Sequence, residues 1–238
     1  MNMVIDAGNT SYKLAFYKDD INQVSLYGLT IEQVLEQVNL YQPENILFSS
    51  VSLPFQTFRS YIGSSVKVIE LNYKTPLPIT YDYHTPETLG VDRLAAAVGA
   101  NYLYPDRDVL VIDMGTCITY DLVDRQAVFQ GGIISPGLAM RFRAMHEFTL
   151  RLPLYSRISA PPLLGKSTKQ AMESGAINGM IAEIEGIIDQ YRHISETLCV
   201  VICGGDASYF ESNLKQPIFA VPELVLIGLN RILRYNVS

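Results

Sequence analysis

The sequence is poor in the residues that mark disulfide-rich, zinc-binding or disordered proteins. It has no Trp, three Cys and three His among 238 residues. Three cysteines without a pair of CxxC motifs exclude a disulfide framework and a structural zinc site, and the dispersed histidines do not predict a metal centre. Only 18% of the residues are charged and 48% are hydrophobic. This composition excludes a disordered chain and favours a folded protein with sizeable cores.

The chain also lacks an excess of positive charge and long apolar runs. Its net charge is −6, which disfavours a nucleic-acid partner because an acidic surface repels phosphate. No uncharged segment approaches the roughly 20 residues that cross a bilayer. The first ten residues contain Asp6 and no basic residue, unlike a secretory signal. We therefore expect a cytoplasmic protein with no membrane segment.

A short pattern occurs twice. Met3–Thr10 is an apolar run followed by Asp-x-Gly and a Thr, and Leu110–Thr116 repeats it. A second and a third strand candidate follow each copy, and helices alternate with strands after them. The repeat predicts an α/β protein of two similar lobes, 1–106 and 107–238. We expect each lobe to hold a mixed sheet of three meandering strands plus crossover strands, with flanking helices.

Apolar periodicity and capping residues predict the remaining elements. In the first lobe, Thr85 resembles an N-cap and Pro86 a first helical residue, so a helix is expected from there to Leu103. The other predicted helices cover 31–40, 54–61, 138–148, 168–191 and 222–234, and the other predicted strands cover 46–51, 66–71 and 198–203.

The segment Asp6–Lys13 is the first candidate site. Gly8 permits close approach of a ligand, hydroxyl and amide groups can donate to phosphate oxygens, and Lys13 adds a cation. The carboxylate of Asp6 could hold a hydrated Mg²⁺. A turn-forming Asp-x-Gly in a hairpin is the commoner explanation of one such motif. The second copy, Asp113–Thr116, favours phosphate binding at both.

Two further glycine turns leave more than one interpretation open. Gly204–Ala207 follows an apolar strand and opens a helix, so its amides could bind an anion or the nucleoside part of a ligand. A plain strand-to-helix turn is nearly as good an explanation. Gly131–Gly137 also precedes a helix, and turn chemistry alone explains it adequately, with close packing against a ligand as the second interpretation.

Asp92 lies in Gly90–Arg93, directly before an apolar helical segment. An acidic residue early in a helix commonly complements the helix dipole. A carboxylate near bound phosphates could instead accept a proton from a hydroxyl nucleophile. The residues alone favour neither role.

Taken together, these motifs resemble the type III pantothenate kinases, a family within the superfamily of acetate kinase, sugar kinases, Hsp70 and actin. The resemblance covers nearly the whole chain, because the motifs occur in the family's order. They are Asp6–Thr10 with Lys13, Gly90–Arg93, Asp113–Thr116, Gly131–Gly132 with Pro136–Gly137, and Gly204–Ala207. The resemblance implies duplicated ribonuclease-H-like, actin-like ATPase lobes.

The resemblance also implies an activity, ATP-dependent phosphorylation of pantothenate in the first step of coenzyme A synthesis. It assigns Asp92 as the proton acceptor. It places ATP phosphates at Asp6, Ala7, Gly8, Asn9, Thr10, Ser11, Tyr12 and Lys13, with help from Thr116. It places pantothenate at Tyr83, Gly90, Val91, Asp92, Arg93 and Thr168.

The family resemblance implies further partners. Asp113 matches the ligand of a monovalent cation, K⁺ or NH₄⁺, which is required besides Mg²⁺. A homodimer is expected, with Leu138–Gln170 and the helix after it at the interface. Two alternatives remain: a kinase of the same superfamily acting on another hydroxy or carboxylic substrate, and a non-catalytic relative that regulates transcription. The acidic chain and the set of Asp6, Asp92 and Asp113 count against the regulator.

Overall fold

The computed structural model describes residues 1–8, 11–155 and 160–237. Their strands are β1 (Asn2–Ala7), β2 (Tyr12–Lys18), β3 (Ile21–Leu29), β4 (Asn45–Ser50), β5 (Lys67–Glu70), β6 (Thr80–Tyr81), β7 (Val109–Met114), β8 (Cys117–Val123), β9 (Val128–Pro136), β10 (Cys199–Cys203) and β11 (Phe219–Ala220). Their helices are α1 (Ile31–Tyr41), α2 (Phe55–Ser60), α3 (Val91–Leu103), α4 (Leu138–Glu147), α5 (Thr168–Ile194), α6 (Ala207–Glu211) and α7 (Leu224–Val237). None of these helices combines the length and the apolar character needed to span a membrane.

The chain forms two compact units. The first comprises residues 1–106, 123–131 and 223–238, and the second comprises 107–122 and 132–222. The boundary between the predicted lobes, 1–106 and 107–238, coincides with the point where the chain first passes from one unit to the other. The terminal segment joins the first unit because α7 packs against α3, β1 and β4. The division of the chain into two duplicated lobes that are each continuous in sequence stays a prediction.

The two sheets have the same strand order, which confirms the predicted fold class. The first runs β3-β2-β1-β4-β5, and the second contains β9-β8-β7-β10-β11. In the first, β1 is antiparallel to β2 and parallel to β4. In the second, β7 is parallel to β10, and β10 to β11. Each sheet thus joins a three-strand meander to crossover strands, as a duplication requires.

Each unit has an apolar core of its own. In the first unit, strand residues such as Ile5, Phe16 and Phe48 pack with Val34 of α1 and Phe58 of α2. These side chains alternate along the strands with others that point to the opposite face of the sheet. That face is buried as well, because α7 packs against β1 and β4.

The core of the second unit is built in the same way. Ile112 and Ile202 of the central strands pack against Phe142 of α4 and against Met180 and Ile184 of α5. The long helix α5 therefore covers the sheet that carries the second Asp-x-Gly turn.

One predicted helix begins later than its sequence indicates. Pro86–Thr88 forms a single 3₁₀ turn, and α3 begins only at Val91 with Gly90 as its N-cap. Thr85 makes no side-chain capping hydrogen bond, and Leu89 is extended. The prediction of a helix from Pro86 is therefore wrong, and Asp92 lies in the first turn of α3 rather than its second.

Candidate active site

The first candidate loop is anchored by a strand pair. Asp6 of β1 and Lys13 of β2 are register partners, and Lys13 Nζ lies 3.9 Å from Asp6 Oδ2. Burial raises the pKa of Asp6 from 3.8 to about 6; the charge of Lys13 lowers it, and the charge of Asp92 raises it further. The structure thus brings Asp6, Lys13 and Asp92 close enough for their charges to interact. Predicted residues Asn9 and Thr10 lie outside the described residues.

The described flank of this loop is held by the segment after β4. Val51 N donates to Ala7 O at 3.1 Å. The Ser52 hydroxyl donates to Gly8 O at 2.9 Å. Ala7, Gly8, Ser11 and Tyr12 therefore lie where the sequence predicted them, at the ends of β1 and β2, and a neighbouring segment fixes the carbonyls at the end of β1.

Asp92 projects from the first turn of α3. Its Oδ1 accepts a hydrogen bond from Arg93 N at 2.9 Å, which satisfies a backbone donor that has no partner within the helix. This contact fits the dipole-complementing role. The charge of the same carboxylate also raises the pKa of Asp6, so the two acidic side chains lie close enough to interact. The role of Asp92 as a proton acceptor stays a prediction.

Tyr83, Arg93 and Phe129 form an aromatic and cationic cluster in the first unit. The buried Arg93 guanidinium lies 6.0 Å from the Tyr83 ring centroid and 5.7 Å from that of Phe129. These distances suit cation–π attraction. The first unit contains five of the predicted pantothenate residues, Tyr83, Gly90, Val91, Asp92 and Arg93. Of these, Asp92 lies close enough to Asp6 of β1 for their charges to interact. Phe129 belongs to none of the sequence motifs, so the sequence did not predict its place in this cluster.

The second candidate loop, Asp113–Thr116, is built mainly from backbone contacts. Gly115 N donates to Cys117 O at 2.9 Å, and Asp206 N donates to Met114 O at 3.0 Å. Gly204 has φ +92°, and a Cβ there would lie 2.3 Å from Asp113 Oδ1 and 2.6 Å from Met114 O. The turn after β10 therefore lies directly against the second loop, within the second unit.

The turn before α4 touches the same loop from another direction. Gly137 N donates to Thr116 O at 3.1 Å. A Cβ at residue 137 would lie 2.3 Å from Gly115 O and 2.6 Å from Thr116 O. Only glycine fits this approach, because a side-chain carbon cannot come so close to backbone oxygens. Turn chemistry alone is therefore an incomplete explanation of the Gly131–Gly137 motif.

The remaining predicted residue, Thr168, is exposed at the start of α5 in the second unit. The preceding Ser167 caps this helix by accepting a hydrogen bond from Gln170 N. Among the described residues, no group of three or more His, Cys, Asp and Glu could hold a metal ion. Any metal would therefore rely on one or two carboxylates and on oxygens of the substrate.

Structural comparison first defines the class of protein. A candidate 2-dehydro-3-deoxygalactonokinase from Sinorhizobium meliloti shares the fold with a TM-score of 0.62 at 13% identity, covering 100% of both chains. A candidate Baf family transcriptional activator from Campylobacter jejuni has a TM-score of 0.62 at 21% identity, covering 98% of both. These likenesses and the repeated strand order define the actin-like fold of duplicated ribonuclease-H-like lobes.

Sequence comparison then identifies the family. The family model described as type III pantothenate kinase matches residues 2–190. The type III pantothenate kinase of Cytophaga hutchinsonii is 46% identical over 237 residues, which cover 100% of both chains. The chain belongs to the type III pantothenate kinase family, which confirms the resemblance seen in the motifs.

Proposed function

We propose that this chain transfers the γ-phosphoryl group of ATP to the hydroxyl of pantothenate, giving 4′-phosphopantothenate for coenzyme A synthesis. Family membership supports the substrate and the reaction. The structural observation that carries the proposal is the group of Asp6, Lys13 and Asp92, whose charges interact beside the Tyr83–Arg93 cluster. The proposed phosphate loop Asp6–Lys13 and the proposed pantothenate residues Tyr83 and Gly90–Arg93 belong to the first unit. Its expected place in the cytoplasm stays a prediction.

Asp92 is the proposed proton acceptor. Its carboxylate takes the proton of the pantothenate hydroxyl as that oxygen attacks the γ-phosphorus in line and the bond to the β-phosphate oxygen breaks. Lys13 and the amides of the first loop stabilise the negative charge on the phosphates, since electrostatic stabilisation supplies most of the catalysis of phosphoryl transfer. For Thr116 of the second loop, the phosphate-binding role is the one that the family resemblance implies.

Tyr83, Gly90, Val91 and Arg93 are proposed to bind pantothenate. Arg93 offers a positive charge for the pantothenate carboxylate, and Tyr83 covers the guanidinium that makes this contact. For Thr168, the pantothenate-binding role is the one that the family resemblance implies.

The oxygen donors fit the cations that the family implies. Asp6 offers a carboxylate for a hydrated Mg²⁺, which together with ATP phosphates is its usual environment. In the second unit, the Asp113 carboxylate is the oxygen donor proposed for K⁺ or NH₄⁺, as the family resemblance implies. When bound, the cations neutralise phosphate charge.

A homodimer is the proposed assembly. Large apolar side chains of the second unit are exposed, and exposed apolar surface commonly marks a site of protein association. Those on and after the turn before α4 are Ile133, Ile134, Met140, Phe148, Leu150, Leu154, Leu163 and Leu164. A second copy of the chain would cover them. Light scattering in solution checks this, and a monomer mass at assay concentrations would contradict it.

A coupled assay with ATP, Mg²⁺, K⁺ and pantothenate tests the proposed reaction. We expect ADP release that depends on pantothenate and falls when Na⁺ replaces K⁺. A panel of sugars and small carboxylic acids tests the alternative kinase activity. Absence of phosphorylated pantothenate under these conditions would overturn the proposal.

The substitution Asp92→Asn tests the proton acceptor. It preserves size and removes basicity, so kcat should fall by about 10²-fold or more while ATP still binds. Asp189→Asn, which removes an exposed carboxylate of α5, is the control and should retain activity. Turnover of Asp92→Asn near that of the control would remove Asp92 from the mechanism.

A further inference from the structure

An ion pair between α4 and α5 involves no residue that has been assigned to a substrate so far. Arg141 Nη2 is 2.6 Å from Glu183 Oε2, and both side chains are largely buried, with 19% and 26% of their surfaces exposed. The Tyr120 hydroxyl donates to Glu183 Oε1 at 2.9 Å. Burial raises the pKa of Glu183, but hydrogen bonds from Arg141, Tyr120 and Ser135 outweigh it and leave that pKa below its usual value. The carboxylate is therefore ionised at neutral pH.

The same guanidinium also binds the turn before α4. Arg141 Nε donates to Pro136 O at 2.9 Å, and Nη2 donates to Ser135 Oγ at 3.2 Å. A guanidinium can make these bonds together because its donors lie in one rigid plane. Glu183 thus fixes the plane of Arg141, and Arg141 fixes the turn.

The Pro136–Gly137 turn determines the position of the second phosphate loop. Gly137, directly after Pro136, donates its N–H to Thr116 O and approaches Gly115 so closely that no Cβ fits. A displacement of the turn therefore displaces the backbone of Gly115 and Thr116. All of these residues belong to the second unit.

We propose that Arg141 and Glu183 are positioning residues for the Asp113–Thr116 loop. They do not touch the substrates in this scheme; they hold the Pro136–Gly137 turn against Thr116. The inference rests on the proposed phosphate-binding role of Thr116. It adds a residue pair, 42 positions apart in sequence, that no motif in the chain marks.

The substitution Arg141→Lys tests the proposal with the least disturbance. A lysine keeps the charge opposite Glu183 but cannot donate at the same time to Glu183, Ser135 and Pro136 O in the plane that the guanidinium provides. We expect KM for ATP to rise about fivefold to tenfold, as for the loss of one or two hydrogen bonds. KM for pantothenate should stay within about twofold, since the pantothenate residues of the first unit are not changed.

Arg143→Lys is the matched control. Arg143 lies on the same helix two residues further on, is exposed, and pairs with Glu147 at 2.7 Å instead of with the turn. Its substitution should leave both KM values and the thermal midpoint unchanged. If Arg141→Lys lowers the thermal midpoint but leaves KM for ATP at the control value, the pair is structural only and the proposal is wrong.

Two further measurements keep the outcome clear. If Arg141→Lys does not fold, Glu183→Gln takes its place: it weakens the hold on the guanidinium, and KM for ATP should rise about twofold to threefold. If the unsubstituted chain does not phosphorylate pantothenate, the proposed function fails. Calorimetric binding of Mg·ATP then decides the positioning role, and equal affinity of Arg141→Lys and Arg143→Lys would overturn it.

Discussion

The two Asp-x-Gly loops begin from the same sequence pattern but are held by different forces. At the first, the carboxylate of Asp6 is buried and interacts with the charges of Lys13 and Asp92. At the second, Asp113 lies against the backbone turn at Gly204, and Gly115 and Thr116 lie against Gly137. The first loop depends on the placement of charge, and the second on close backbone packing.

This difference separates the substitutions that each loop tolerates. A neutral isostere at the first loop changes the electrostatics and leaves the packing intact. An added methyl group at the second loop meets backbone atoms that cannot move without displacing a strand end. We therefore expect the second loop to be sensitive to volume and the first to be sensitive to pH.

The largest expected effect is that of Gly204→Ala. A Cβ there would lie 2.6 Å from both Met114 N and Met114 O, and the φ of +92° strains any residue other than glycine. We expect a loss of about 3 kcal/mol in the free energy of unfolding, from overpacking and backbone strain together. Urea denaturation measures it.

Gly205→Ala is the control for this substitution. Nothing lies within 4 Å of a Cβ at residue 205, so the neighbouring glycine should accept alanine with a change within about 0.5 kcal/mol. Equal stability of the two variants would mean that the turn yields to the added carbon, and that packing does not fix the second loop.

The second-largest expected effect is a pH-dependent change in the free energy of unfolding, caused by Asp6→Asn at the first loop. Because the pKa of Asp6 is raised from 3.8 to about 6 in the folded chain, the folded state binds this proton more tightly than the unfolded state. Below pH 3.8 the carboxyl is neutral in both states. As the pH rises through about 6, the folded state must hold a buried charge, and stability from this group is lost.

Asp6→Asn should therefore be more stable than the unsubstituted chain at pH 7.5, by about 2 kcal/mol, and the gain should shrink towards pH 4.5. Unfolding in urea with EDTA present measures both. Asp20→Asn should instead be less stable than the unsubstituted chain at pH 7.5, because hydrogen bonds from Arg234 and Arg231 lower the pKa of Asp20 in the folded chain. A gain for Asp6→Asn that does not change with pH would contradict the burial of its charge.

The sequence predicted the parts of this fold that repeat and alternate. Apolar runs ending in Asp-x-Gly located β1 and β7 and, with the strands after them, the meander of each sheet. The start of α3 was predicted wrongly because Thr85 and Pro86 have the residue types of a helix start, whereas the chain turns once and extends at Leu89. Strands β6 and β11, of two residues each, are too short for a periodic signal.

The candidate site was predictable only where a motif names its residues. The contacts of Arg93 with Phe129, and of Arg141 with Glu183, join elements that are far apart in sequence. Such pairs depend on strand order and on the face that each helix presents. Gly137 shows the same limit, since its spacing fits an ordinary turn and only the close approach of Gly115 O and Thr116 O explains why no other residue fits.

The smallest expected effect is that of Ser52→Ala, which tests whether the first loop also depends on packing. The substitution removes the hydroxyl that donates to Gly8 O at 2.9 Å but leaves the backbone bond from Val51 N to Ala7 O. One lost hydrogen bond at an exposed site is worth at most about 1 kcal/mol. We expect KM for ATP to rise about threefold, with kcat less affected. Ser60→Ala, which removes a hydroxyl bonded to Thr57 O within α2, should leave KM unchanged. If the two serine variants behave alike, the Ser52 hydroxyl does not hold the first loop. If Ser52→Ala weakens ATP binding as much as Arg141→Lys does, the two loops depend equally on their neighbouring turns.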